Sequence, residues 1–561
     1  MRTQAVIAAV LLAAGFGCAE LPDYTPPNSV TTLDQNWTEA QRRWFYHASQ
    51  GTRLLPASWF LALEQPRPSL VAVERFAAPD YLARFGFLPD PVSPDNPDGL
   101  PVGFARDSFP VDGQLNAPPE AVVGLTCAAC HTGQVEFGGR ALRIDGGPAM
   151  TDTGAFQDML GAAILLTAES EPRFNRFAAR VLTGNDTPET RAALRERLNA
   201  ALAAGRTERG LAARGALYPV EEGFGRLDAL GRGGNFVFAT QTGDTRNLAV
   251  ADGPVSYPAL WDAPWFDWVQ YNGAIRQPMG RNLAEAMGVR SVTKLSGPPE
   301  SLYASTVRPD TIHAMERQLA GPAPGEGLRS PPWPQAVLGP IDAAMAERGK
   351  AHYARLCAGC HDGGWTAPDA AGRRYRQITM VPLARIGTDP KAARNFAERR
   401  AFFPPGGEAQ VSAAEGLREV TTRVAQRWYE AAGVPPGQRA EMDGYRTNDW
   451  RAPAAYRARP LNGIWATAPY LHNGSVPSLY QMLLPAERRD AAFFTGSRQF
   501  DPRAVGFSTA PFDGGFRFDT AIPGNSNRGH EFRDGLPGNG TIGPALTEDQ
   551  RWELVEYLKT L

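Results

Sequence analysis

GKAHYARLCAGCH, residues 349–361, is the stretch on which the reading of this chain turns. Gly349, Tyr353 and Cys357 recur every four residues, so they share one face of a helix. Residues 341–361 are therefore expected as a helix that runs straight into Cys357, Cys360 and His361. The chain ends on TEDQRWELVEYLKTL, residues 547–561. There Thr547 is a ready N-cap, and Glu548 and Asp549 occupy a first turn. These two helices can close a domain by packing on each other. A second CxxCH lies far upstream in VVGLTCAACHTGQVEF, residues 122–137, as Cys127, Cys130 and His131. No such helix precedes it, so the two motifs are not copies of one unit.

CxxCH offers two thiols that form thioethers with haem vinyl groups and a His that meets the iron from one face. The chain has five Cys and seven His, and chance would place one CxxCH in roughly one of two thousand such chains. The competing readings are zinc, which needs a fourth ligand nearby, and a redox dithiol, which needs a thioredoxin-like setting. Neither context accompanies these motifs. Two covalently bound haem c groups are expected, on Cys127, Cys130 and His131 and on Cys357, Cys360 and His361, with His131 and His361 as iron ligands. A sixth protein ligand favours electron transfer, and an open position admits oxygen or peroxide. His47, His313 and His352 read as ordinary helix residues, His352 as solvent-facing. His472 and His530 lie in Gly- and Asn-flanked loops that can approach a flat macrocycle, and each is a candidate for haem contact, a tightly packed loop His being the alternative. Met380 is the remaining conceivable ligand.

A chain of 561 residues with 43% hydrophobic residues can bury a large core, and its length suggests two domains. A formal charge of −2 gives no reason to expect nucleic acid as a partner. Arg2, the apolar run of residues 5–14 and the small residues around Gly17 and Ala19 form an export signal, too short to span a bilayer in the mature protein. No other segment is long and apolar enough to cross a membrane, so an extracytoplasmic location, periplasmic or secreted, is expected. With four Cys committed to the motifs there is no structural disulfide. Cys18 is a candidate lipid anchor, although Gly15 stands where a branched apolar residue is usual; the alternative is a Cys discarded with the signal.

Along the chain, residues 37–63 read as two helices broken at Gly51, with Trp44, Phe45, Trp59 and Phe60 as core candidates. Residues 86–120, crowded with Pro, Gly, Asp and Asn, read as mostly loop. VEFGGRALRI, residues 135–144, reads as a hairpin turning at Gly138 and Gly139, and residues 188–214 as an amphipathic helix. The expected organisation is a signal over 1–19, an N-terminal haem domain over 20–320, a Pro/Gly-rich linker over 321–340 and a cytochrome c-like haem domain over 341–561. The fold class is mainly α, with two cytochrome c-like haem domains, long loops and few short strands.

TAPYLHNGS, residues 467–475, is similar to a motif of the bacterial di-haem cytochrome c peroxidase and methylamine-utilisation superfamily. GTRLLPASWFLALEQP (51–66), GFGRLDALGRGGN (223–235), PWFDWVQYNGAIRQPMGRN (264–282), the run 458–489 and NSNRGHEF (525–532) resemble its rubber oxygenase branch. The helix before Cys357, and Trp552, Tyr557 and Leu558, likewise resemble the two terminal helices of cytochrome c domains. The resemblance implies two haem domains in contact, an open first haem that handles oxygen, and a bis-histidine second haem for redox tuning or electron supply. It matches His530 to the sixth ligand of the second haem and puts His472 near that haem. It also implies an aromatic residue between the haems. Trp265, Phe266 and Trp268 are on offer; Trp268 is the choice, with core packing the default for Trp261 and Trp265.

Three readings follow, in order. The first is an oxygenase cleaving a hydrophobic alkene, a polymer such as polyisoprene or a lipid. The second is a peroxidase that reduces hydrogen peroxide, with a small redox protein as donor and an acid/base residue for which Glu136, Glu221 and Glu222 are candidates. The third is a non-enzymatic electron carrier with both irons saturated.

Overall fold

The computed structural model describes residues 21–67, 71–110, 119–369 and 371–561. The export signal and Cys18 lie outside the described residues. Thr38 opens the helix Glu39–His47 with a reciprocal capping box to Gln41. The chain then breaks at Gly51, whose φ of +93° and backbone contact with Thr306 leave no room for a Cβ. It resumes as the short helix Ala57–Ala62, with Phe45, Trp59 and Phe60 buried as expected and Trp44 only half-buried.

Residues 86–103 form neither helix nor ladder strand, as expected of a loop, but the window 86–120 also holds a strand. Phe104–Pro110 is a strand, paired antiparallel with Pro119–Leu125 along its whole length from Phe104 opposite Leu125 to Pro110 opposite Pro119. The helix-breaking composition of that window hid a ladder whose apolar partner, AVVGL, stands beyond it. Leu55–Pro56 adds a third strand. The expected hairpin forms from Thr132–Phe137 and Arg140–Asp145, turning through Gly138 and Gly139 at positive φ. Ser29–Thr32 joins it in parallel. Each three-stranded sheet thus holds one end of the first CxxCH turn.

The helix Pro188–Arg214 matches the expected span and buries Leu194, Leu198 and Leu202. At the other end of the chain, Ala343–Leu356 and the Thr547-capped helix Glu548–Leu558 cross at Gly349. A Cβ on Gly349 would stand 1.9 Å from the Glu553 carbonyl oxygen, so only glycine permits this approach. The first helix stops at Leu356 instead of running on to His361; a separate turn, Ala358–His361, carries the rest of the motif.

The tract 321–340 does not run free between two cores. Leu328, Trp333 and Leu338 are buried in a cluster with Trp37, Phe45 and Trp261 from the N-terminal half and Trp465, Leu554 and Leu558 from the C-terminal half. Trp333 packs edge-on against Trp465 at 5.4 Å, and the Trp465 indole donates to the Pro331 carbonyl at 2.9 Å. A second cluster joins Phe238 and Leu283 to Phe396 and Val420. The halves interlock because each leaves apolar faces that only the other covers. The structure is 38% helix and 16% strand, so strands, mostly two to four residues long, do more of the local positioning than a mainly α fold suggests. Among the described residues no helix is long and apolar enough to cross a membrane.

Candidate functional site

The strand Pro119–Leu125 ends at Thr126, whose hydroxyl caps the one-turn helix Cys127–Ala129. That turn lies against Gly103, where a Cβ would stand 2.3 Å from the Ala129 backbone. The Cys127 carbonyl accepts the amide N–H groups of Cys130 at 3.3 Å and His131 at 3.0 Å, which gathers both thiols and the imidazole on one turn. The second motif repeats this: the Cys357 carbonyl accepts from Cys360 and His361, each at 3.1 Å. A strand delivers the first turn and a helix the second.

Both motif histidines are held by backbone. His131 Nδ1 lies 2.8 Å from the Pro258 carbonyl oxygen, and His361 Nδ1 lies 2.7 Å from that of Arg459. A carbonyl only accepts, so Nδ1 carries the proton and Nε2 presents its lone pair. Burial opposes a charge on either ring and pushes His131 down to about 4. A neutral imidazole with an oriented Nε2 is the form that binds iron.

His530 faces His361 with ring centres 6.3 Å apart. Two imidazoles that share one metal, with metal–nitrogen bonds of about 2.0 Å and about 1.2 Å from each nitrogen to its ring centre, would stand up to about 6.4 Å apart. The loop is built for this. Gly529 packs against the Gly387 backbone with no room for a Cβ, His530 sits at a φ of +48°, and its N–H donates to Ile386. The Arg489 guanidinium clasps the carbonyls of Asn527, Gly529 and His530. His530 Nδ1 is buried without a hydrogen-bond partner, a costly state that an unmodified protein interior avoids. The residues therefore fit a haem c at the second motif, where Cys357 and Cys360 would attach it and His361 and His530 would hold its iron. At the first motif Cys127, Cys130 and His131 fit one too. Among the described residues no three His, Cys, Asp or Glu side chains gather as a bare zinc site would require.

The other histidines are engaged elsewhere. His47 is buried between the Phe104 carbonyl at 2.8 Å and Asp90 at 3.0 Å. His313 faces Glu441. His352 is not solvent-facing: its Nε2 pairs with Glu553 on the C-terminal helix at 2.9 Å, because the crossing at Gly349 brings that carboxylate over it. Met380 packs against Gly273, on a strand paired with Ala455–Ala458. His472 is buried, stacked on Tyr456 at 4.0 Å and edge-on to Tyr271, and burial drives it down to about 3. Its ring contacts are these tyrosines, not His361 or His530.

Trp268 is sandwiched by charge. Arg451 stacks on its ring at 3.6 Å, with Arg276 at 5.7 Å, and it is only half-buried. Phe266 and Trp261, both fully buried, and Tyr271 border Arg457 and Arg459 near the two histidine carbonyls. One of these, Arg459, donates from Nη1 to the Ala259 carbonyl at 3.1 Å, one residue past the His131 acceptor, while its own carbonyl holds His361.

Of the expected acid/base carboxylates, Glu136 lies on the hairpin with Gln134 and Gln499, Glu221 is exposed, and Glu222 is committed to Arg232 at 2.7 Å. Sequence reading missed Glu285, on the helix Pro278–Gly288. It accepts from Gln270 at 2.7 Å, burial raises its pKa, and its charge acts on both Cys127 and Cys130. Only its place between buried Leu283 and Ala286 marks it in sequence, and many surface glutamates share that.

A family described as RoxA-like, cytochrome c-like, matches residues 455–494, the segment that carries Arg457, Arg459 and His472. With the motifs this defines a haem c protein, a haem oxidoreductase in general class. The chain is 45% identical over 587 residues to uncharacterized protein y4iJ of Sinorhizobium fredii (strain NBRC 101917 / NGR234), covering 98% of each. It belongs to the same family as that protein. It is also 27% identical over 319 residues to uncharacterized protein y4iM of the same strain, covering 54% of this chain and 63% of y4iM.

Proposed function

We propose that this chain is an extracytoplasmic di-haem oxidoreductase in which oxygen is used at the Cys127–His131 site and electrons are handled at the Cys357–His361 site. The observation that carries this reading is an asymmetry: His361 has His530 opposite it at 6.3 Å, whereas the ring against His131 is Tyr257 and every other histidine is engaged elsewhere. Haem bound at the first site supplies an iron position at which oxygen can be activated. The chain's own part is to hold His131 neutral through Pro258, and to hold His530 opposite His361 through Arg489 and the Gly529 approach, where it would supply a further ligand to the second iron. The substrate class is a hydrophobic alkene, a polyisoprene or a lipid. Cleavage of one C=C bond by one O2 gives two carbonyl groups and needs no external reductant. The RoxA-like match over 455–494 supports the direction of this choice.

Glu285 favours a second reading, a peroxidase. A half-buried carboxyl with raised pKa beside the first motif suits a general acid for peroxide, where two electrons and two protons convert H2O2 to two waters. A small reduced redox protein would be the donor. The test is to incubate the purified protein with oxygen and a polyisoprene latex, and separately with peroxide and a reduced c-type cytochrome. Carbonyl-ended oligomers support the first reading, and oxidation of the cytochrome by peroxide the second. Two low-spin haems that bind no carbon monoxide when reduced refute both.

A further inference from the structure

Arg457 and Arg459 are half-buried cations with guanidinium N–H groups that find no acceptor. Arg457, on the strand Ala455–Ala458, has Nε and Nη1 buried without hydrogen-bond partners, and Arg459 has Nη2 in the same state. Among the described residues neither forms an ion pair. The nearby Asp262 carboxylate is taken by the Asn462 amide at 2.6 Å. Arg457 feels two further guanidinium groups, Arg459 and Arg281, and no carboxylate. The aromatic faces of Phe266, Tyr271 and Trp261, 5.7–5.9 Å away, offer modest attraction but accept none of the N–H groups. Buried guanidinium donors without an anion are a costly arrangement, and the cost disappears when a carboxylate or phosphate arrives.

The position of the pair says which anion. The Arg459 carbonyl holds His361, and its Nη1 bonds the residue after the one that holds His131. Arg459 therefore links the two motif histidines, and Arg457 stands close enough to feel its charge. Haem carries its own carboxylates.

We propose that Arg457 and Arg459 form a carboxylate site shared by the two cofactors, which takes haem propionate groups on the unpartnered N–H donors. This rests on the di-haem reading above. Two cations beside the haems favour the reduced, less positive iron, so they raise the reduction potentials.

The experiment is spectroelectrochemistry on the intact purified protein and on Arg457→Gln and Arg459→Gln, with haem content read first by the pyridine haemochrome. At least one haem should reduce at least tenfold less favourably in each variant, a fall of 59 mV for a one-electron couple. Arg459→Lys, which keeps charge but not the fork, should recover most of it. Should the glutamine variants not fold, resonance Raman of the wild-type protein reads the same contact. A propionate bending mode at its hydrogen-bonded position that moves in D2O supports the site. Full haem content with unshifted potentials, or a solvent-like propionate mode, overturns the site alone. A wild-type chain without haem overturns the di-haem reading and the site with it.

Discussion

Replacing Gly349 by alanine sets two effects against each other. Alanine is the better helix former by about 0.8–1.0 kcal/mol, which favours the variant. Against this, the new Cβ would stand 1.9 Å from the Glu553 carbonyl oxygen, 2.5 Å from its carbon and 2.9 Å from Tyr557 Cβ. Carbon–oxygen contacts settle near 3.3 Å, so the crossing must open by about 1.4 Å. The obstacle is main chain, which no rotamer change removes. Opening it also loosens Tyr353, Leu554 and Val555, all buried at the seam. Overpacking of this kind costs about 1–3 kcal/mol before those lost contacts, so Gly349→Ala should be net destabilising by about 1–2 kcal/mol. Gly437→Ala is the control, since a Cβ there meets nothing within 4 Å in the helix Pro436–Met442. Guanidinium denaturation of the haem-loaded protein, followed by far-ultraviolet circular dichroism, should lower the midpoint for Gly349→Ala and leave or raise it for Gly437→Ala. Equal movement of the two midpoints would refute the crossing.

Removing the imbalance at the second site is the next test: His530→Ala should convert its haem from low spin to high spin and open it to carbon monoxide, and an unchanged low-spin spectrum means that His530 is not the ligand. Glu285→Gln should reduce peroxide turnover by about 10²–10⁴ if that carboxyl is the acid, while leaving oxygen-dependent alkene cleavage intact; equal loss of both would assign it a structural part. His472, held down to about 3, binds its proton in the unfolded chain first, so it adds nothing to pH dependence above about 6.5 and costs stability as pH falls from there toward 3. His472→Phe keeps the stack on Tyr456 and should flatten the stability–pH slope between pH 6 and 4 by about 1.4 kcal/mol per unit, measured by denaturation at several pH values; an unaltered slope would show a solvated imidazole.

What could be read in the sequence was local. The CxxCH spacing fixes where thiols and imidazole meet, the capping box at Thr547 fixes a helix start, and Gly138 with Gly139 fixes a turn, because each depends on neighbours a few residues away. The resemblance pointed to His530, and its ring does face His361. Readings that depended on distant partners went astray. The strand Phe104–Pro110 needed residues 119–125 to be seen, and His352 needed Glu553. Composition marked residues 321–340 as linker, yet Leu328 and Trp333 are apolar side chains that find cover in the core. Glu285 and the arginine pair were illegible for the same reason: their meaning lies in which partners they lack.

The acceptors that orient the two motif histidines are the main-chain carbonyls of Pro258 and Arg459. No substitution at either position deletes a carbonyl. The tautomer and aim of each imidazole are thus insulated from mutation, and only a shift of the backbone itself disturbs them. A lineage built on this scaffold can exchange one oxidisable substrate for another, or peroxide for oxygen, without having to rediscover how to hold the iron.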